Sequence, residues 1–263
     1  MAKSMSGFDP IELAERVSKA VTRIVNGVEE RKYYRFRGGK WYGGIATGDV
    51  VGCNLRCKFC WSWRYSYFTN KVHYYSPQVV YMKLSSIANR RKYKYVRLSG
   101  GEPTLSRKHL LSLLELFEET DLLFILETNG ILIGYDKQYA EELSKYRRLI
   151  VRVSFKGTTS EEFEKLTGAD KKFYDLQFKA LENLIDAGLK PGHQVYPAVM
   201  LSFSPKENIQ KFLERLREIH PVLPDEIDPE YVILYPHVRE LLRKYGLKPR
   251  IAYTPNGIPD FMI

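Results

Sequence analysis

Cys53, Cys57 and Cys60 are the only cysteines in the chain, and they fall in one loop, Gly52-Cys53-Asn54-Leu55-Arg56-Cys57-Lys58-Phe59-Cys60-Trp61. Their spacing is C-x3-C-x2-C. Thiolates are the soft ligands that iron–sulfur clusters use. Three of them on one tight loop can bind three corners of a cubane and leave the fourth iron open to a substrate or cofactor. Two other readings compete. A structural zinc needs four ligands, so it would have to recruit a histidine such as His73. Inert buried thiols would need no spacing at all. An odd, clustered trio is unlike the paired, dispersed cysteines of a secreted disulfide scaffold.

This loop, with the aromatic Phe59 before its last cysteine, resembles the signature of the radical S-adenosylmethionine (radical SAM) superfamily. The resemblance implies a 4Fe-4S cluster on Cys53, Cys57 and Cys60 whose open iron chelates the amino and carboxylate groups of S-adenosylmethionine (SAM). One-electron reduction, from a donor such as ferredoxin or flavodoxin, would cleave SAM to methionine and a 5'-deoxyadenosyl radical that abstracts a hydrogen atom. Ser99-Gly100-Gly101-Glu102-Pro103 is similar to the superfamily's GGE element. Two glycines there let backbone approach a ligand closely, and the element's carbonyls and Glu102 would receive the SAM ammonium. Glu127-Thr128-Asn129-Gly130 is similar to the threonine-asparagine-glycine element of minimal members, which implies cofactor contacts from Thr128 and Asn129. In Ser154-Phe155-Lys156-Gly157, Ser154 offers an alcohol, and the Lys156 ammonium suits the cofactor carboxylate. Phe59 would pack near the adenine, Met200 to Phe203 sit where the family supplies further adenine contacts, and His237 stands at the mouth.

Strand ends must carry these groups. From about Gly43, short apolar runs alternate with amphipathic helical stretches six times, a βα rhythm. Strands are predicted at Ile45–Val51, Tyr95–Leu98, Leu122–Leu126, Leu149–Phe155, Val195–Phe203 and Tyr231–Leu234. Helices are predicted at Pro77–Lys92, Arg107–Glu119, Lys137–Lys145, Leu176–Ala187, Lys206–Ile219 and His237–Tyr245. Right-handed crossovers between them give an α/β fold, a partial (β/α)6 TIM-like barrel with parallel strands and its chemistry on the loops after the strands. The expected core is 45–247, preceded by a helical extension (1–44) and followed by a short tail (248–263). In the extension, Asp9-Pro10 and Glu12 start a helix whose apolar face is Ala14, Val17, Val21, Ile24 and Val28. Pro249, Pro255 and Pro259 make the tail an extended wrap with an edge strand.

With 263 residues, 44% hydrophobic and 27% charged, the chain is an ordinary folded domain. No stretch reaches the roughly 18 to 20 apolar residues of a membrane span, and the amino terminus has no signal-peptide core, which places the protein in the cytoplasm. The net charge of +10 would attract a polyanion such as RNA, but a Lys-, Glu-, Arg- and Tyr-rich composition is also that of a heat-stable protein. Two basic and aromatic runs, Arg31 to Arg37 and Arg90 to Tyr95, motivate RNA as a substrate beside a protein or small molecule. The run with Trp61, Trp63, Tyr65, Tyr67, Phe68, Tyr74 and Tyr75 extends that surface or fills the barrel mouth. A non-catalytic iron–sulfur protein is the reading from another class. Auxiliary clusters and further reactive thiols need cysteines that this chain lacks. The resemblance therefore points to single-cluster members, similar to glycyl-radical activating enzymes and 7-carboxy-7-deazaguanine synthases over roughly residues 45–235.

Overall fold

The computed structural model describes residues 7–67 and 72–263. Its strands are β1 (Thr22–Val25), β2 (Val28–Gly39), β3 (Ile45–Val50), β4 (His73–Tyr75), β5 (Tyr95–Ser99), β6 (Leu123–Thr128), β7 (Leu149–Phe155), β8 (Val195–Met200), β9 (Asp228–Glu230), β10 (Val232–Ile233) and β11 (Ala252–Tyr253). Six of them, β3-β5-β6-β7-β8-β9, are neighbours in chain order and pair in parallel. Helices Pro77–Arg91, Arg107–Glu118, Lys137–Leu143, Asp175–Asp186 and Lys206–Ile219 make the crossovers. This is the expected partial barrel.

Alternation along the strands decides what each face does. Outward residues such as Val96, Leu98, Phe124, Leu126, Val151, Val153 and Phe155 join one buried apolar cluster with Leu110, Leu113, Phe117, Phe178, Leu181 and Phe212 from the covering helices. Phe155, Phe178 and Phe212 meet with ring centroids 4.7 to 5.4 Å apart. Each such ring contributes about 2 to 3 kcal/mol by leaving water. The inward residues towards the strand ends are different: Thr47, Asp49, Arg97, Ser99, Glu127, Arg152 and Ser154 are polar. The barrel therefore encloses a cavity, of about 1130 Å³.

Three expectations are corrected. The first helix starts as predicted, with Asp9 Oδ1 accepting from the Ile11 and Glu12 amides, but it stops at Val21. Ile24 is instead 59% exposed on β1, and Val28 opens β2. Asn26 and Gly27, both with positive φ (49° and 79°), make a two-residue hairpin turn between those strands, and the β-branched residues on either side favour strand over helix. The hairpin then pairs antiparallel with β3, so the extension enlarges the sheet. The sixth parallel strand is Asp228–Glu230, not Tyr231–Leu234; Val232–Ile233 turns away to pair with β11 of the tail, which is the expected edge strand. The strand predicted to run to Phe203 ends at Met200, because Ser202 turns its hydroxyl to accept from the Val232 amide (2.8 Å). No helix among the described residues is long and apolar enough to cross a membrane.

Candidate active site at the mouth of the barrel

The cysteine loop leaves β3 through Gly52, and neighbouring backbone clamps that glycine. Its amide donates to Tyr65 O (2.8 Å), and its carbonyl accepts from the Glu102 amide (2.8 Å). A Cβ on Gly52 would lie 2.6 Å from Val17 Cγ1, so the first helix seals the back of the loop. Leu55, 1% exposed, anchors the loop in the core between the first two cysteines. Arg56 then closes the loop onto itself by donating to Cys53 O and Leu55 O.

The three thiols are free and partly buried, and they line the cavity. Burial pushes Cys53 up to about 12 and raises Cys57 and Cys60, against the pull of Lys156 near Cys57. Unassisted thiolates are thus disfavoured, and a bound cluster's iron would supply the compensating charge. Among the described residues, no three His, Cys, Asp or Glu side chains converge on a single ion position. His73, the histidine that zinc would have recruited, sits exposed on β4 outside the cavity lining. A cubane fits the donor set, because each thiolate takes a different iron. Two amide donors also suit its sulfurs. Asn129 Nδ2 lies 3.9 Å from Cys53 Sγ, and the buried Asn54 Nδ2 has no partner while its Oδ1 accepts from Asn129.

The loops after β5 and β6 lock onto the cysteine loop. A Cβ on Gly101 would lie 2.2 Å from Gly52 O, and one on Gly100 2.8 Å from the Tyr34 hydroxyl. These glycines therefore allow loop-on-loop packing, beyond the ligand approach expected of them. Glu102, 2% exposed, accepts from Thr104 N (3.1 Å), Thr104 Oγ1 (2.7 Å), Thr128 Oγ1 (2.8 Å) and Asn129 N (2.8 Å). From β2, Arg31 donates to Val51 O (2.7 Å) and Glu102 O (3.1 Å), and full burial lowers its pKa to about 10. Gln177, buried in the helix Asp175–Asp186, donates to Asn129 O (2.7 Å) and Ser154 O (2.8 Å), tying the ends of β6 and β7 together.

The inner wall below is an ion-pair ladder. Arg97 donates to Glu127 (2.5 Å), which also accepts from Tyr42 (3.1 Å). Arg152 pairs with Asp228 (2.6 Å) and Glu230 (2.7 Å), and Glu230 also takes Ser154 (2.6 Å) and Lys156 (3.1 Å). Burial alone would raise Glu230, but Lys156 and Arg152 outweigh it and hold its pKa at about 2. On the flank, β2 carries a bulge between Tyr33 and Arg35. A bulge reverses the facing of the residues beyond it. Arg31 and Tyr33 point to the core, yet Arg35 and Arg37 both reach the cavity and share Asp49, at 2.6 and 2.9 Å.

Of the predicted cluster and cofactor residues, Leu201, Ser202 and Phe203 are outside the cavity lining, and the others come together. Cys53, Cys57, Cys60, Phe59, Gly100, Gly101, Glu102, Thr128, Asn129, Ser154 and Lys156 line one cavity. Phe59 packs on Phe203 (5.7 Å) in an apolar cluster with Met200 and Val232. His237 also lines the cavity and bonds the Trp61 carbonyl through Nε2 (2.7 Å). Trp61, Trp63, Tyr65 and Tyr67 line the mouth, whereas Tyr74 and Tyr75 are on β4 and Phe68 lies outside the described residues. The two basic runs do not form one exposed stripe: Arg91 and Tyr93 pack beside Gly38 and Gly44, at the far end of the strands. Arg97, Glu127, Arg152, Glu230 and Gln177 were not anticipated. For the strand residues, polar side chains at alternate positions of apolar strands, as in Arg152-Val153-Ser154, were the available signal; Gln177, on a helix, had none.

Residues 49–219 match the family model of the Radical SAM superfamily. A GTP 3',8-cyclase of Pasteurella multocida (strain Pm70) is 30% identical over 161 residues, covering 60% of this chain but 43% of that protein. A probable GTP 3',8-cyclase of Saccharolobus islandicus (strain Y.N.15.51 / Yellowstone #2) is 27% identical over 226 residues, 78% of this chain and 69% of its own length. The chain thus spans less than half of the first relative. Among solved structures, HydG, a maturase of the FeFe-hydrogenase, superposes with a TM-score of 0.59 at 14% identity, covering 74% of this chain and 44% of HydG. TYW1 with a lysine-pyruvate adduct bound gives 0.52 at 20% identity, covering 76% of this chain and 71% of TYW1. At these identities both likenesses concern the fold.

Proposed function

Because the chain belongs to the radical SAM superfamily, we propose that Cys53, Cys57 and Cys60 hold a 4Fe-4S cluster and that the protein abstracts hydrogen from a substrate in the barrel cavity. The carrying observation is the convergence of the three thiols with Glu102, Thr128, Asn129, Ser154 and Lys156 on that one cavity. When bound, the cluster supplies the electron that cleaves SAM to methionine and a 5'-deoxyadenosyl radical.

The chain's own residues bind, orient and shield. Lys156, held ionised beside Glu230, supplies the positive charge for the cofactor carboxylate. Glu102 and the carbonyls of Gly100 and Gly101 receive the ammonium: Oε1 of Glu102 is held by Thr104 and Thr128, while Oε2 accepts only the Asn129 amide and keeps a lone pair to give. Phe59 and Met200 give an apolar surface for the adenine. Trp61, Trp63 and Tyr67 narrow the mouth against water, which would quench a radical. A low-potential donor such as ferredoxin or flavodoxin supplies the electron.

The test is chemical. Anaerobically reconstituted protein with dithionite and SAM should bind iron and sulfide and release 5'-deoxyadenosine. Cys57→Ala should lose both the stable cluster and the release, by at least a hundredfold. Wild-type protein with a full cluster but no release would support the non-catalytic reading instead. As to substrate, glycyl-radical activating enzymes and 7-carboxy-7-deazaguanine synthases were read from motifs alone. The names of the curated relatives favour a nucleotide, and RNA stays a reading through the basic residues near the mouth.

A further inference from the structure

We propose that Arg35 and Arg37 form a phosphate-recognition site, so that the substrate is a phosphorylated molecule carrying an aromatic ring. The proposal rests on the reading that the cavity holds the substrate, and deepens it. Most of the wall is electrically balanced: Arg97, Arg152 and Lys156 face Glu127, Asp228 and Glu230. The β2 flank is not. Two guanidiniums share the single carboxylate of Asp49, whose side chain is 0% exposed, while those of Arg35 and Arg37 are 46% and 23% exposed. The surplus of one positive charge is local to this flank, while Arg56, Glu102, Asp225 and Glu226 line the cavity elsewhere.

Its placement is built. Without the bulge after Tyr33, Arg35 and Arg37 would share the facing of Arg31 and Tyr33, in the core. Asp49 engages one N–H of Arg35 and two of Arg37, and each guanidinium carries five. Two planar forks side by side present more donors than a carboxylate's two oxygens can take, and match the three terminal oxygens of a phosphate. Flat rings flank them. Arg37 lies over Trp61 at 5.9 Å, and Trp61 is 40% exposed, whereas Tyr34 is already covered by Tyr65 at 3.7 Å and by Arg35. Aromatic faces beside guanidiniums take a base ring by stacking.

All three tryptophans of the chain, Trp41, Trp61 and Trp63, line this cavity, so tryptophan emission reports on it directly. The experiment titrates cluster-loaded protein, saturated with SAM and without reductant, against GTP, inorganic pyrophosphate and a short single-stranded oligoribonucleotide. Saturable quenching by GTP is expected, with Kd rising at least tenfold in Arg35→Gln/Arg37→Gln and unchanged in the remote Arg90→Gln. Should the double variant fail to fold, Arg35→Lys/Arg37→Lys carries the test; it keeps the charges but not the forks, and Kd should rise at least threefold. Binding of the oligoribonucleotide alone, with the same dependence on both arginines, assigns the phosphate to a nucleic-acid backbone and keeps the site. No quenching by any probe, or equal affinity in wild type and arginine variants, overturns it. Release of 5'-deoxyadenosine plays no part in this titration, so failure of the radical chemistry and failure of the phosphate site are read separately.

Discussion

The carboxylate of Glu102 accepts four hydrogen bonds, and its donors come from two successive βα loops. A Glu102→Gln change keeps shape and size but turns one acceptor oxygen into a donor that faces donors. Leaving buried N–H and O–H groups unpaired costs about 1 to 3 kcal/mol each time. The variant should therefore lose about 2 to 4 kcal/mol in denaturant unfolding at unchanged slope, and its SAM affinity should fall with it. An unaltered midpoint would refute the hub role. The sequence displayed Glu102 as a ligand for an ammonium because its motif was visible. Its hydrogen bonds from Thr128 and Asn129 were not, since those residues are 26 and 27 positions away and only the parallel pairing of β5 with β6 brings them near.

At the scale of elements, the helix Arg107–Glu118 is held to β2 by a buried imidazole. Glu29 O can only accept, so His109 Nδ1 donates to it (3.0 Å), and Nε2 accepts from the Tyr33 hydroxyl (2.8 Å). Burial holds that ring neutral, with its pKa lowered from 6.5 to about 4. Between those values the unfolded chain binds the proton and the folded one does not, so stability rises with pH across this window. The contribution is fully present above pH 6.5 and is lost as pH falls towards 4; at 1.36 kcal/mol per unit it amounts to about 3 kcal/mol. Thermal midpoints measured from pH 7 to pH 4 should fall, and a His109→Gln variant should show a flatter profile. Parallel profiles would contradict the assignment. The first five parallel strands and their helices were legible because apolar runs and amphipathic stretches alternate, whereas the sixth strand, Asp228-Pro229-Glu230, has no apolar run to show it and the apolar residues just after it drew the prediction to Tyr231–Leu234. The hairpin was not read, although Asn26-Gly27 between β-branched residues signals it, because Ile24 and Val28 also fit a continuing helical face. The bulge was hidden for a stronger reason: it is a register shift against β3, and a single strand carries no trace of its partner.

The whole molecule converges on one cavity, to which β2, the barrel strand ends and the end of the tail all contribute residues. Binding there should stabilise the entire fold. At a SAM concentration a hundred times its Kd, cluster-loaded protein should gain about 2.7 kcal/mol against unfolding. Protein stripped of iron should gain much less, and thermal unfolding with and without SAM in both forms checks this. A curved sheet that does not close also leaves β1 and β9 at the ends of its strand order, and β4 beside β2, with one side unpaired in that sheet. Such rims can template the addition of a strand from another molecule, the first step of aggregation. Here all three rims are short, and β4 has only three residues, His73–Tyr75. β1 has four residues and includes Arg23, and β9 is Asp228-Pro229-Glu230, two acids around a residue with no amide proton to give. The opening that admits a substrate thus ends in short strands that offer little for a second molecule to extend.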